Sequence, residues 1–303
     1  MNQNNLDNIP DWLLEQLPYH HSWIDVGGKS MHVMEKGSGK PIVFVHGNPM
    51  WGYLYKKVLD GLNDSQSRLI VPDLIGFGFS DKVKLNEHSL KSHSEWMANF
   101  FSTIKEEKIG MVVHDWGGMI GIAGAMKAGK KIDGLIVMNT AITAPKDGFK
   151  PTWFHSLSQI PLISDFLFRV LNFPLSGLHR FANVPGSFSK DVMKAYKYPL
   201  RKLKDNCGPL ALARMVPNNM NHPSVLLEKE IEEFLQQYNG PAQIVWGMND
   251  PVMWKLRRRT SRLLPQAKVI KTEAGHFVQE ETPEKVIDSI KEIFKLRSDT
   301  KKL

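Results

Sequence analysis

Polar and apolar positions follow two alternating patterns along this chain. Short runs rich in β-branched residues predict strands at Ser22–Val26, Met31–Glu35, Pro41–Val45, Arg68–Val71, Ile109–Val113, Gly134–Met138, Ala242–Trp246 and Lys268–Thr272. Longer stretches of helical pattern lie between them. The run Ile42-Val43-Phe44-Val45 is apolar throughout, as a strand covered on both faces should be. These patterns predict an α/β fold: a mostly parallel, eight-stranded sheet with helices on both faces. Between Asn139 and about Met220 the alternation stops. Prolines and aromatics take over there in helix-length pieces, among them Pro151, Trp153, Phe154, Phe166, Phe168, Phe173 and Phe181. That stretch reads as a helical cap inserted after strand 6, with a core of residues 1–142 and 221–303 and a cap of 143–220. The tail after about Arg297 looks frayed.

The most informative stretch is Val112-Val113-His114-Asp115-Trp116-Gly117-Gly118, followed by a small-residue helix, Met119–Met126. A strand that turns into a helix over glycines is the context of a nucleophile elbow, in which the central residue stands exposed on a sharp turn. Asp115 occupies that position. An aspartate before a helix also suits an N-cap. As a nucleophile, a carboxylate is poor at acyl transfer and good at displacement on saturated carbon. Three more motifs follow predicted strands: His46-Gly47-Asn48-Pro49, Trp246-Gly247-Met248-Asn249-Asp250-Pro251 and Glu273-Ala274-Gly275-His276-Phe277. Open α/β sheets bind ligands at the carboxyl ends of their strands. The order nucleophile, acid, histidine is that of the α/β-hydrolase triad.

Composition narrows the alternatives. No apolar run approaches the ~18 residues that a membrane span needs. Met1–Asp11 is polar and lacks the basic and apolar regions of a secretory signal. A single cysteine, Cys207, excludes an intramolecular disulfide and fits a reducing cytoplasm. The net charge of +8 invites a nucleic-acid reading. The basic residues are scattered, however, beyond Arg257-Arg258-Arg259 and Lys301-Lys302, and no nucleic-acid-binding signature accompanies them. No nucleic-acid partner is expected.

With Tyr53-Leu54-Tyr55, Asp73 and Gly76-Phe77-Gly78-Phe79-Ser80-Asp81 added to the four motifs, the chain resembles the haloalkane dehalogenases of the α/β-hydrolase fold, over roughly Ile9 to Ile293. The resemblance implies Asp115 as nucleophile, His276 as general base and Asp250 as the acid that orients it. It implies Asn48 and Trp116 as halide and oxyanion binders, and it makes Phe149, Val252 and Phe277 candidates for the pocket lining. It implies no metal, no organic cofactor, and a small apolar substrate with halide as partners. One departure is Val113, where the family often has a small residue and where a larger one could crowd the turn. In one subgroup a glutamate after the sixth strand serves as the acid. Here Val137-Met138-Asn139-Thr140 holds no carboxylate, so the role passes to Asp250 and removal of the Asn139 side chain is expected to be mild. Asp250 with Asn48 and Trp116 resembles a third subgroup, as do Tyr196-Lys197-Tyr198-Pro199 and Asn221-His222-Pro223-Ser224. That subgroup also holds β-lactone decarboxylases.

The expected reaction is hydrolytic dehalogenation through an aspartyl ester. A β-lactone decarboxylase could use the same site. An epoxide hydrolase would need two cap tyrosines to protonate an alkoxide, and Tyr196 and Tyr198, two apart, point ~200° from each other on a helix. A fluoroacetate-type enzyme would need arginine where Trp116 stands. A non-catalytic binding protein on this fold would be expected to lose a triad member. His46 and His114 are expected to be structural.

Overall fold

A computed structural model describes residues 3–63, 66–146, 148, 153–173, 175–180 and 182–296. Phe149, Pro151, Phe181 and the tail lie outside them. All eight expected strands form: β1 (His20–Asp25), β2 (Ser30–Gly37), β3 (Lys40–Val45), β4 (Ser67–Pro72), β5 (Lys108–His114), β6 (Lys131–Met138), β7 (Ala242–Gly247) and β8 (Lys268–Thr272). They build one sheet in the order β1-β2-β4-β3-β5-β6-β7-β8. β2 pairs antiparallel with β1 and β4, and the remaining pairs are parallel. The chain is thus an α/β hydrolase fold.

Adjacent residues of β5 show why both faces must be covered. Gly110 leaves room for the ring of Phe294, while Met111, pointing the other way, packs on Gly121. The helices Pro283–Phe294 and Trp116–Lys127 therefore cover opposite faces. Pro283 opens the former, where its missing N–H costs nothing. The latter is buried nearly all round, between the sheet and the helices Leu90–Thr103 and Ser224–Gln236.

Between β6 and the Ser224–Gln236 helix, the helices are shorter than their apolar content suggested. They run over Trp153–Ser158, Ile163–Asp165, Lys190–Lys197 and Cys207–Arg214, with a π-helical turn at Phe166–Val170. Pro161 and Pro199 interrupt the backbone pattern, and Leu162 adopts a φ of +63° that no helix continues through.

Register places the chemistry. Val45 pairs with Val113, Val113 with Val137, His114 with Met138, Met138 with Val245 and Gly247 with Thr272. The carboxyl ends of β3, β5, β6, β7 and β8 therefore lie along one edge of the sheet. Asn48, Asp115, Asn139, Asp250 and His276 all emerge from it. Among the described residues, no helix is long and apolar enough to cross a membrane.

Candidate active site

Asp115 sits between β5 and its helix at φ 51° and ψ −128°. A non-glycine residue adopts this conformation only when its surroundings enforce it. Its N–H donates to the Asn139 carbonyl, and its own carbonyl accepts from Gly118 N–H and Thr140 Oγ1. The side chain makes no capping bond, which removes the N-cap reading. Val113 does not crowd the turn, because it lies inside the ladder between β3 and β6. The tight points are two glycines: a Cβ on Gly47 would strike the Asp115 carboxylate, and one on Gly117 the Val45 carbonyl.

The two carboxylate oxygens of Asp115 have different neighbours. Oδ1 accepts the Asn48 backbone N–H at 2.7 Å, and the nearby Trp116 backbone N–H helps to hold this carboxyl down. Oδ2 lies 3.6 Å from His276 Nε2. On the far side of the imidazole, Nδ1 is 2.8 Å from Asp250 Oδ2. All three side chains are buried. Burial alone would push His276 down, but the charge of Asp250 and the contact with Asp115 raise it to about 10. Burial would likewise raise both carboxyls. The imidazolium reverses this, lowering Asp115 and, with a bond from Asn139, bringing Asp250 to about 2. With both carboxyls pushed down and the imidazole pushed up, the site favours a carboxylate–imidazolium–carboxylate array at neutral pH.

The other expected residues fall as follows. Val252 N–H donates to Asp250 Oδ1 at 2.7 Å, so its backbone helps fix the acid. Phe277 is buried edge-on against His276, with ring centroids 4.8 Å apart. Trp116 is half-buried beside Asp115. The Asn48 amide donates one hydrogen to the Pro209 carbonyl at 3.0 Å, which ties it to the Cys207–Arg214 helix and leaves its second hydrogen. His46 bridges Gly47 O and Leu74 N–H, a structural role. Tyr196 is buried with its hydroxyl bound to Glu280, and Tyr198 has its ring under Arg201. Among the described residues, no three His, Cys, Asp or Glu side chains are grouped to hold a metal.

Three residues matter more than the sequence suggested. The Asn139 amide donates to Asp250 Oδ2 at 2.7 Å, while its oxygen accepts Gly247 N–H at 2.8 Å. The expectation that its loss would be mild is therefore corrected: the asparagine after β6 holds the carboxylate after β7. Glu281 accepts N–H bonds from Gly275 and Phe277, on either side of His276, and from Asn183 and Val184. His114, which burial pushes down to about 3, is neutral and donates Nε2–H to the His276 carbonyl at 2.8 Å. The histidine loop is thus gripped at three successive residues. Glutamate is usually exposed, so residue type gave no hint that Glu281 is buried. A fourth group, His155 on the Trp153–Ser158 helix, is pushed down to about 4 by burial, against the pull of Asp115, whose charge reaches it.

Comparison with known proteins agrees with this fold. A family model described as the alpha/beta hydrolase fold matches residues 40–172. Haloalkane dehalogenase 1 of Mycobacterium bovis is 30% identical over 248 residues, which span 80% of this chain and 79% of that protein. The chain belongs to the haloalkane dehalogenase family. It is a hydrolase of that type. A cis-3-alkyl-4-alkyloxetan-2-one decarboxylase of Shewanella oneidensis is 28% identical over 282 residues, covering 91% of this dehalogenase-family chain and 88% of its own. A crystal structure of a mutant haloalkane dehalogenase DatA from Agrobacterium tumefaciens superposes with a TM-score of 0.81 at 21% identity, over 94% of this chain and 98% of that one. The epoxide hydrolase CorEH shares the fold at a TM-score of 0.72 and 21% identity, over 91% and 98% of the two chains.

Proposed function

We propose that this enzyme hydrolyses the carbon–halogen bond of haloalkanes through an ester on Asp115. The division of labour between the two Asp115 oxygens carries the reading. Oδ1 already accepts a backbone N–H, so the lone pair free to attack carbon belongs to Oδ2. Displacement forms an Oδ2–carbon bond and releases halide. An ion left unpaired in a dry site costs several kcal/mol. Bonds to a charged partner return about 1.5–3 kcal/mol each. The Trp116 indole N–H and the second amide hydrogen of Asn48 supply them.

The ester then changes the base. His276 is held up by two carboxylates, and alkylation neutralises one of them, so its proton leaves more readily. The neutral imidazole takes a proton from water as the water oxygen attacks Cγ of Asp115. The negative charge gathers on Oδ1, between the N–H groups of Asn48 and Trp116. Collapse expels the alcohol, which takes the proton back from His276. Asp250 stays ionised and orients the ring. The helices between Trp153 and Arg214 serve as the cap, and exclude water while Asn48 is held by Pro209.

A second reading, decarboxylation of a β-lactone on the same residues, is favoured by the likeness to the Shewanella decarboxylase. Trp116 and Asn48 would then hold carboxylate or lactone oxygens. Halide release is measured on short and long bromoalkanes, beside lactone and epoxide turnover. Trp116→Phe is expected to slow bromoalkane turnover at least ~10-fold, the equivalent of one ~1.4 kcal/mol bond. Bromide is expected to quench the wild-type tryptophan fluorescence more than the variant's. Fast lactone turnover with fluorescence blind to halide would refute the dehalogenase reading in favour of the second.

A further inference from the structure

Among the described residues, the outer surface of the 153–214 region carries an apolar face with no covering element. Ile160, Leu162, Ile163, Phe166, Val170 and Leu171 are exposed, Leu162 by 83% and Phe166 by 54%. The opposite side of the same segment, Ser164 and Phe168, is buried, so the exposed apolar side chains cannot be turned inward without uncovering it. Leu162 holds a left-handed backbone that favours glycine, yet a leucine side chain is presented there. The face continues onto a second segment. Asn206 Nδ2 donates to the Arg169 carbonyl, and Asn172 Nδ2 to the Leu200 carbonyl. These bonds lay Phe166–Val170 against Leu203–Asn206, where Leu203 is also exposed.

Charge distinguishes the possible occupants. Arg169 and Arg214 are committed to Asp165, which they neutralise. Asp205 accepts the Lys202 backbone N–H. Next to Leu203 in sequence stand the exposed Lys202 and Arg201, the latter stacked on the Tyr198 ring. The preceding Lys190–Lys197 helix exposes Lys190, Lys197 and Lys194, which lies over the Trp12 ring, with Asp191 the exposed acid of that helix. A two-fold contact between copies would set this basic rim against itself, on a chain of net charge +8. A nucleic acid would use the cations and leave the aliphatic side chains in water. A bilayer surface with anionic headgroups accommodates both, with side chains such as Phe166 at the acyl boundary and the cations among phosphates.

The geometry points to this face as a docking surface for an anionic lipid membrane. The enzyme lies on the bilayer without crossing it. Behind the face runs the Cys207–Arg214 helix. Arg214 on that helix holds Ser158, Ser164 and Asp165, and its Pro209 carbonyl holds Asn48. Roughly one helix diameter, on the order of 10 Å, therefore separates the lipid-facing side from the active site. An apolar substrate dissolved in the bilayer would have a short way in. The surface stands whichever reaction the site performs.

The test is co-flotation of the purified chain with vesicles of equal parts phosphatidylcholine and phosphatidylglycerol, and with phosphatidylcholine alone. Binding is expected to the mixed vesicles at low salt, weaker at high salt, and poor to the neutral ones. Phe166→Ser/Val170→Ser and Arg201→Glu/Lys202→Glu should each weaken binding at least about tenfold. A wild-type circular dichroism spectrum and melting temperature in both variants report that they fold, whichever reaction the site performs. If the first variant does not fold, the charge reversal alone carries the test. Failure of the wild type to float with mixed vesicles overturns the proposal, as does equal flotation of wild type and charge variant. A dimer in sedimentation equilibrium that Phe166→Ser dissociates would assign the face to a second copy and overturn it too.

Discussion

Asn139→Ala is the substitution on which sequence and structure disagree most. The side chain is fully buried and sits at φ 29°. Its removal takes one donor from the charged Asp250, worth about 1.5–3 kcal/mol. It also strands the Gly247 N–H, for about 1–3 kcal/mol more. Alanine fits the left-handed backbone less well than asparagine, at about 1 kcal/mol. Since the terms overlap, the expected loss is roughly 3–6 kcal/mol, a large part of the ~5–15 kcal/mol that holds a domain folded. Asn139→Gly should recover about 1 kcal/mol of it, because only the strain is relieved. Urea unfolding measures both. The kinetic effect should be lopsided. Asp115 takes only the Asn139 backbone carbonyl, so the halide burst should persist. Ester hydrolysis depends on how Asp250 aims His276, and should slow ten- to hundredfold, about 1.4–2.8 kcal/mol. Stopped-flow halide release against steady-state alcohol formation separates the two steps. Wild-type stability in Asn139→Ala, or equal slowing of both steps, would refute the reasoning.

His276→Phe should still release one equivalent of halide and then stop, with Asp115 heavier by the alkyl group in a peptide mass spectrum; an unmodified Asp115 would sink the two-step scheme. The imidazole stands at about 10 in the folded enzyme against an ordinary 6.5, so its stabilisation is complete below about pH 6.5 and lost as pH rises through 10. The melting-temperature gap between wild type and His276→Gln should therefore shrink from pH 7 to pH 10, and a widening gap would contradict the ion array. At the acid end, Asp250 stands at about 2 against 3.8, so its contribution is present above 3.8 and fades as pH falls through 2. Glu281→Gln removes the charge from a carboxylate serving N–H groups on both sides of His276, and should lower stability by about 2–3 kcal/mol. Hydrolysis should slow with KM for the bromoalkane little changed, whereas a rise in KM alone would mean that Glu281 shapes the pocket and not the histidine loop.

What the sequence determined by itself was whatever depends on local pattern and residue type. β-Branched runs such as Ile42–Val45 can bury two faces only inside a covered sheet, so strand positions were legible. Asp115 between a strand and two glycines was legible because few backbones need that combination, and His276 and Asp250 because they follow strands in triad order. Boundaries in the proline-broken stretch after β6 were less so, since Pro161 and Leu162 cut helices that composition alone allowed. Only tertiary structure decided the partners. Asn139 and Asp250 are 111 residues apart and meet because β6 and β7 pair in register. Glu281 is an ordinary surface residue by type and becomes a buried clamp only because the loops of His276 and Asn183 converge on it. Which Asp115 oxygen the proposed mechanism leaves free to attack follows from a hydrogen bond spanning 67 residues, between two adjacent strand ends. Periodicity encodes which face of an element is buried. It does not encode what lies opposite, and the electrostatics of this site are set by what lies opposite.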